Sequence, residues 1–306
     1  MSSGGGKRAI LAAFTADAGI TVAKFIGAFI TGSASMLAEA VHSLADTANQ
    51  GLLLIGRRRA EQVPDELHPF GYGRNRYFYS FIVALVIFLV GALYAIDEGV
   101  NKIRHPEELS NPIVAIVILL VALALESYSL ATARKESTLL KGRNSWWRFI
   151  RTTRNPELPV VLLEDTGALI GLMFAFGGVG LTMLTGSARW DGIGTLAIGI
   201  LLLFIAVVLI VEMKSLLIGE GATPDEDRRI RESLVDGTRI DRVIYLKTQY
   251  LAPDELLVAT KVAVVPGLGI ADVASAIDAA EARVRAAIPA ARHIYIEPDL
   301  YRAQRV

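Results

Sequence analysis

The chain has no cysteine and only four histidines among its 306 residues. The first absence excludes disulfide frameworks, zinc–thiolate knuckles, iron–sulfur ligation and a cysteine nucleophile. The second leaves Asp, Glu, Asn and backbone oxygen to supply most of any metal site. Charge is scarce as well, with 20% of residues charged where a soluble domain carries about 25%. The deficit lies in the first 216 positions. The 31 basic and 31 acidic residues balance, so there is no basic field for nucleic acid, which is excluded as a partner.

What the chain has in excess is apolar sequence, 53% of residues with a mean hydropathy of +0.45. A bilayer core about 30 Å thick takes about 20 such residues per helical span. Six stretches qualify, near 9–30, 35–56, 77–98, 112–133, 158–184 and 193–214, separated by breakers such as Thr31-Gly32-Ser33, Asn111-Pro112 and Asn155-Pro156. The first carries Asp17 and Lys24 and outruns a signal-peptide core, so it reads as a retained helix. Loop cations are lopsided: Arg57 to Arg76 and Arg134 to Arg154 fall on the side of the N-terminus, against only Lys102, Arg104 and Arg189 on the other. The positive-inside rule then puts both termini in the cytoplasm. Trp146 and Trp147, beside Arg148 and Arg151, suit a headgroup-layer anchor or a buried pair in a basic loop.

From Gly219 the pattern becomes that of a soluble layer. A helix is predicted at Pro224–Leu234, strands at Asp241–Tyr250 and Glu255–Val265, a helix at Ile270–Ala287 and a strand at Arg292–Glu297. The chain thus reads as a polytopic α-helical membrane protein, six transmembrane helices in residues 1–216, followed by a small cytoplasmic α+β domain of ferredoxin-like layout in residues 217–306.

A carboxylate or imidazole inside a span costs at least about 2.5 kcal/mol on insertion scales and is a functional candidate by default. The second span holds Glu39, His42, Asp46 and Asn49. At about 100° per residue His42 and Asp46 share a helix face, with Glu39 and Asn49 within about 60° of it. An i, i+4 His/Asp pair can place an imidazole nitrogen and a carboxylate oxygen on one divalent cation, or it can be an internal pair that locks packing. The fifth span adds Glu164-Asp165. Adjacent helix positions diverge by about 100°, so one acid is expected to face the ion and the other a proton route or a neighbouring helix. Gly167 and Gly171 form a small-xxx-small ridge. Asp17 and Lys24 are expected in packing or proton-linked roles, and Glu126 as a proton acceptor near the site or a structural hydrogen-bonding group.

Six spans, His42-Ser-Leu-Ala-Asp46, Thr31-Gly32-Ser33, His68-Pro-Phe-Gly-Tyr-Gly-Arg74, an acid in span five and a C-terminal α+β domain together resemble the cation diffusion facilitator family, over about Lys7 to Asp299. The Leu-Glu-Asp-Thr run is similar to the branch containing the mitochondrial zinc transporter of animals and its bacterial relatives. The resemblance implies a homodimeric antiporter that exchanges Zn²⁺, as transported substrate, for protons, with no organic cofactor. Its four-residue site implies His42, Asp46 and Asp165; the fourth place falls on Val161, leaving Glu164, Asn49, Glu39 or water to complete the shell. It also implies a second metal position at Asp65 and His68, where Tyr72 holds the third place. In the cytoplasmic domain the matching positions are His293, Glu297 and Asp299.

Independently of any family, imidazole and carboxylate bind a metal only when deprotonated, so cation and proton compete for the same atoms, and a histidine brings that exchange near neutral pH. Other readings stay open: the same antiporter selecting Mn²⁺, Co²⁺, Fe²⁺ or Cd²⁺, or a metal-binding membrane scaffold that does not transport. An intramembrane metallohydrolase lacks its HExxH, so no enzyme is expected. A compact chain with no evident transit peptide points to a bacterial plasma membrane.

Overall fold

The computed structural model describes residues 18–142 and 145–301. Asp17 and Arg143 lie outside them. The chain divides into two compact units: Phe78–Lys214 with the segment ending at Arg58, and Arg59–Tyr77 with the segment beginning at Ser215. The loop after the second helix therefore belongs to the C-terminal unit, whereas the hydropathy pattern places everything up to residue 216 in one domain.

The first unit is helical. Helix α1 covers Ala18–Thr31 and α2 Ala34–Ala60; α3, Asn75–Ile82, runs through a π turn at Val83–Phe88 into α4, Leu89–Arg104. Then follow α5 (Pro112–Lys141), α6 (Trp146–Thr152), α7 (Glu157–Thr185) and α8 (Arg189–Ile218). Among the described residues three helices are long and apolar enough to cross a membrane: α5 over Pro112–Ala131, α7 and α8. Polar residues dilute α2 and the π turn divides α3 from α4. On α8 the exposed Ile200, Phe204, Val207 and Val211 recur at helical spacing, as Ile113, Val117 and Leu120 do on α5. Such continuous apolar stripes are disfavoured against water and stable against hydrocarbon.

Glycine sets the closest helix crossings. A Cβ on Gly194 would lie 2.8 Å from the Phe174 carbonyl oxygen, and one on Gly199 would lie 2.7 Å from the Ile96 backbone nitrogen, so α8 approaches α7 and α4 backbone to backbone. The N-terminus of α2 is held by another helix. Ser33 caps it, accepting from the Met36 N–H at 3.2 Å. The fully buried Asp191 of α8 accepts from the Ala34 N–H at 2.7 Å, the Ser33 hydroxyl at 2.8 Å and the Ser35 hydroxyl. A carboxylate there satisfies orphan N–H groups and complements the helix dipole. Lys102 donates to the Gly32 carbonyl at 3.1 Å. In α6, Phe149 and Ile150 are buried while Trp147 is exposed, and the Trp146 ring lies 5.1 Å from the Lys141 ammonium.

In the second unit, α9 (Pro224–Leu234) begins with a capping box between Thr223 and Glu226. Strands β1 (Ile240–Ala252), β2 (Glu255–Val264) and β3 (Ala291–Asp299) form one sheet in that order, β1–β2 antiparallel and β2–β3 parallel, with α10 (Ile270–Ala287) as the crossover. Ile230 and Leu234 of α9 and Ala276, Ala280 and Val284 of α10 pack on Tyr250, Val258 and Ile294 of the sheet. Both helices match their predicted ends, and each strand is a residue or more off. Asp236 accepts the N–H groups of Thr238, Arg239 and Ile240. Burial pushes its carboxyl up, but the three N–H donors outweigh it and hold it well below the usual carboxylate range.

Candidate metal centre

The polar stripe of α2 meets α5 and α7 at a cavity of about 30 Å³ lined by Ile20, Ser43, Asp46, Gln50, Glu126, Ser129, Glu164, Asp165 and Ala168. That is room for one or two small occupants. Three of the predicted ligands, Asp46, Glu164 and Asp165, are walls of the same space, joined by Glu126. The Asp46 and Glu164 carboxyls adjoin one another. Asn49 donates to Glu164 Oε1 at 3.4 Å, and Ser129 donates to Asp165 Oδ2 at 3.3 Å.

Glu164 and Asp165 both line this cavity yet meet different partners, Glu164 the Asn49 and Asp46 side chains of α2 and Asp165 the Ser129 hydroxyl of α5. The lining draws on α1, α2, α5 and α7, so neighbouring side chains that diverge by about 100° both reach it. His42, by contrast, is not a wall. It is buried behind Asp46, with Nδ1 3.4 Å from Asp46 Oδ1. Asn49 is also buried outside the lining, its Oδ1 without a hydrogen-bond partner. Among the described residues no three His, Asp or Glu side chains converge into a ready-made metal-binding group.

Sequence reasoning missed Ser43, Gln50 and Ser129. The first two were within reach, since positions 43, 46 and 50 share one helix face. Ser129 carried no signal, because its role depends on how α5 lies against α7. Gly171 of the predicted ridge allows a close approach: a Cβ there would overlap Glu39 Oε1.

The second unit holds the other predicted positions. Asp65, His68 and Tyr72 do come together: the His68 N–H donates to Asp65 Oδ1 at 2.7 Å and the Tyr72 hydroxyl to Asp65 Oδ2 at 2.6 Å. The Tyr72 and His68 hydrogen bonds hold the Asp65 carboxyl below its usual range, and the same contact with Asp65 raises the Tyr72 phenol. His293 lies along the same strand as Glu297 and Asp299, with its ring 5.5 Å from that of Phe70. Glu297 and Asp299 converge on the Lys261 ammonium, 3.0 and 3.1 Å away.

Comparison with known proteins gives this geometry a context. The human and mouse mitochondrial proteins named proton-coupled zinc antiporter SLC30A9 are each 37% identical over 214 residues, 69% of this chain and 38% of theirs. The chain therefore spans well under two thirds of those relatives' length. Metal tolerance protein C4 of Arabidopsis thaliana is 29% identical over 253 residues, 81% of this chain and 54% of that one. The zinc transporter ZitB of Pectobacterium atrosepticum is 36% identical over 122 residues, 40% of this chain and 36% of its own. A solved C-terminal domain, that of a MamM variant in its nickel form, aligns with 26% of this chain and all of its own at 16% identity and a TM-score of 0.25. The sequence profile of the cation efflux transmembrane domain matches residues 10–218. The chain belongs to the cation efflux family, the cation diffusion facilitators.

Proposed function

We propose that the chain is a proton-coupled antiporter that moves a divalent cation, Zn²⁺ first, out of the cytoplasm through the cavity between α2, α5 and α7. The observation that carries this reading is the meeting of Asp46, Glu126, Glu164 and Asp165 around one buried space within the segment that matches the family profile. Carboxyl oxygens suit a divalent cation and are lost to it when protonated, so a proton arriving from the far side displaces the cargo. His42, one turn from Asp46, joins the shell when α2 rotates toward α7, and Asn49 is positioned to follow it. Nitrogen from His42 favours Zn²⁺, whereas a shell of oxygens alone suits Mn²⁺.

In this reading α1, α2 and the α3–α4 helix complete a six-span bundle with α5, α7 and α8. Residues 217–306 form a cytoplasmic domain that pairs two copies of the chain, and both termini lie in the cytoplasm of a bacterial cell. The names of the SLC30A9 and ZitB relatives support zinc as cargo. Asp65 and His68 in the loop, and His293, Glu297 and Asp299 in the sheet, are proposed as no more than weak metal positions, since Tyr72 and Lys261 already satisfy the acids among them.

The test is cation flux into proteoliposomes under a pH gradient, zinc against manganese, for wild type and Asp165→Asn. Zinc flux that follows the proton gradient and collapses in the variant is the expected result. Manganese flux would replace the cargo and keep the mechanism. No flux of either cation would leave a non-transporting scaffold.

A further inference from the structure

We propose that the ammonium of Lys24 is a built-in counter-cation of the acidic cavity, weakening its hold on a divalent cation so that the cation can leave. The inference rests on the cation-site reading above. Lys24, on α1, is fully buried. Its Nζ donates to Ser43 Oγ at 2.6 Å and to Glu39 Oε2 at 3.3 Å. Ser43 is a wall of the cavity, so the positive charge stands one hydroxyl away from it.

The ion pair is asymmetric with respect to that space. Glu39 is not among the cavity walls, and its second oxygen is turned to Gly171 of α7, where it has no hydrogen-bond partner. The ammonium, not the carboxylate, adjoins the site. Among the described wall residues four carry carboxyl groups and none is basic. Four carboxylates around a dication in a medium of low dielectric make a trap, which suits storage and opposes turnover. A fixed positive charge nearby offsets part of that attraction. Because Coulomb energy scales with the product of the charges, it acts twice as strongly on a dication as on a monovalent ion at the same place.

A buried Lys–Glu pair can also serve packing alone, and the two roles separate on the sign of the effect. Removing a packing contact loosens the site and weakens binding, whereas removing a counter-cation tightens it. The experiment titrates Zn²⁺ into the full-length purified protein at fixed pH, comparing wild type, Lys24→Gln, Lys24→Arg and Asp46→Asn. Lys24→Gln keeps a donor toward Ser43 and Glu39 but not the charge, and is expected to bind Zn²⁺ at least about tenfold more tightly. Lys24→Arg, which keeps the charge, is expected to bind as wild type does. If Lys24→Gln does not fold, the double variant Lys24→Met with Glu39→Gln leaves no orphaned charge and is expected to bind Zn²⁺ more tightly than wild type by a smaller factor, because the more distant Glu39 charge goes with the ammonium.

Unchanged or weaker binding by the uncharged variants, with binding still abolished by Asp46→Asn, would overturn the counter-cation and spare the site. Binding that survives Asp46→Asn at wild-type strength would remove the site itself, and this proposal with it.

Discussion

Two groups of acids, one among α2, α5 and α7 and the other on the sheet of the second unit, have the same side-chain chemistry and different surroundings. Around the cavity, Asp46, Glu126, Glu164 and Asp165 share the lining with no basic residue among the described walls. On the sheet, Glu297 and Asp299 share the Lys261 ammonium, and Tyr245 donates to Glu297 Oε2 at 3.3 Å. Those pairs are largely solvated, where a divalent cation would have to displace a lysine for little gain. A ligand set is therefore defined as much by the cation the chain itself provides as by the carboxylates it presents.

The strongest way to break that contrast is to remove one acid from each group. Asp46→Ala is expected to lower zinc flux in proteoliposomes at least about 100-fold, since even the groups that merely orient a metal ligand are worth about 10- to 100-fold. Glu297→Ala is expected to leave flux within about twofold, the range of ordinary surface substitutions. Equal losses in the two variants would erase the distinction and return the sheet acids to the functional site.

A third buried acid sharpens the comparison, because burial alone does not make a cation site. Asp191 is as inaccessible as any described residue, yet its oxygens are taken by Ser33, Ala34 and Ser35 at the start of α2. Asp191→Ala removes an inter-helix cap and strands those donors, and is expected to destabilise the helical unit by about 2 kcal/mol. The readout is the loss of helical circular dichroism on heating in detergent. An unchanged unfolding midpoint would mean that the cap is replaceable by water, and would leave Asp191 available for another role.

These residues also show what could be read from the chain. His42, Asp46 and Asn49 declared themselves by helical period within an apolar stretch, and α9 by its charged helical pattern, because both signals are local. The partners of Asp191 lie 156 to 158 residues away in the chain, so no local pattern marks the acid. The π turn at Val83–Phe88 has the apolar composition of any helix and no breaker to announce it. How α5 lies against α7 is a property of the bundle, which is why Ser129 emerged only from the packing and why Glu164 and Asp165 share a cavity.

The loop Asp65–Tyr72 lies between the two extremes and gives the smallest expected effect. Asp65 and His68 are the beginning of a metal site, and the side chain in the third place closes it: the Tyr72 hydroxyl takes Asp65 Oδ2 while the His68 N–H takes Oδ1. Both contacts favour the ionised carboxyl, so its titration is held below the usual aspartate range, with Tyr72 the larger cause. A carboxyl shifted in this direction supports the loop above its ordinary titration range, and that support is lost as pH falls through the lowered value. Tyr72→Phe removes the larger contribution, so the Asp65 carboxyl is expected to titrate at a higher pH, nearer an ordinary aspartate. The midpoint can be followed by carbon NMR at Asp65 in the full chain. The same variant uncovers Oδ2, and zinc binding at the loop should become detectable as shifts of the His68 ring, while transport stays within about twofold of wild type. A midpoint that does not move would show that the phenol contact has no energetic weight, and the closed loop could then no longer be set against the open cavity.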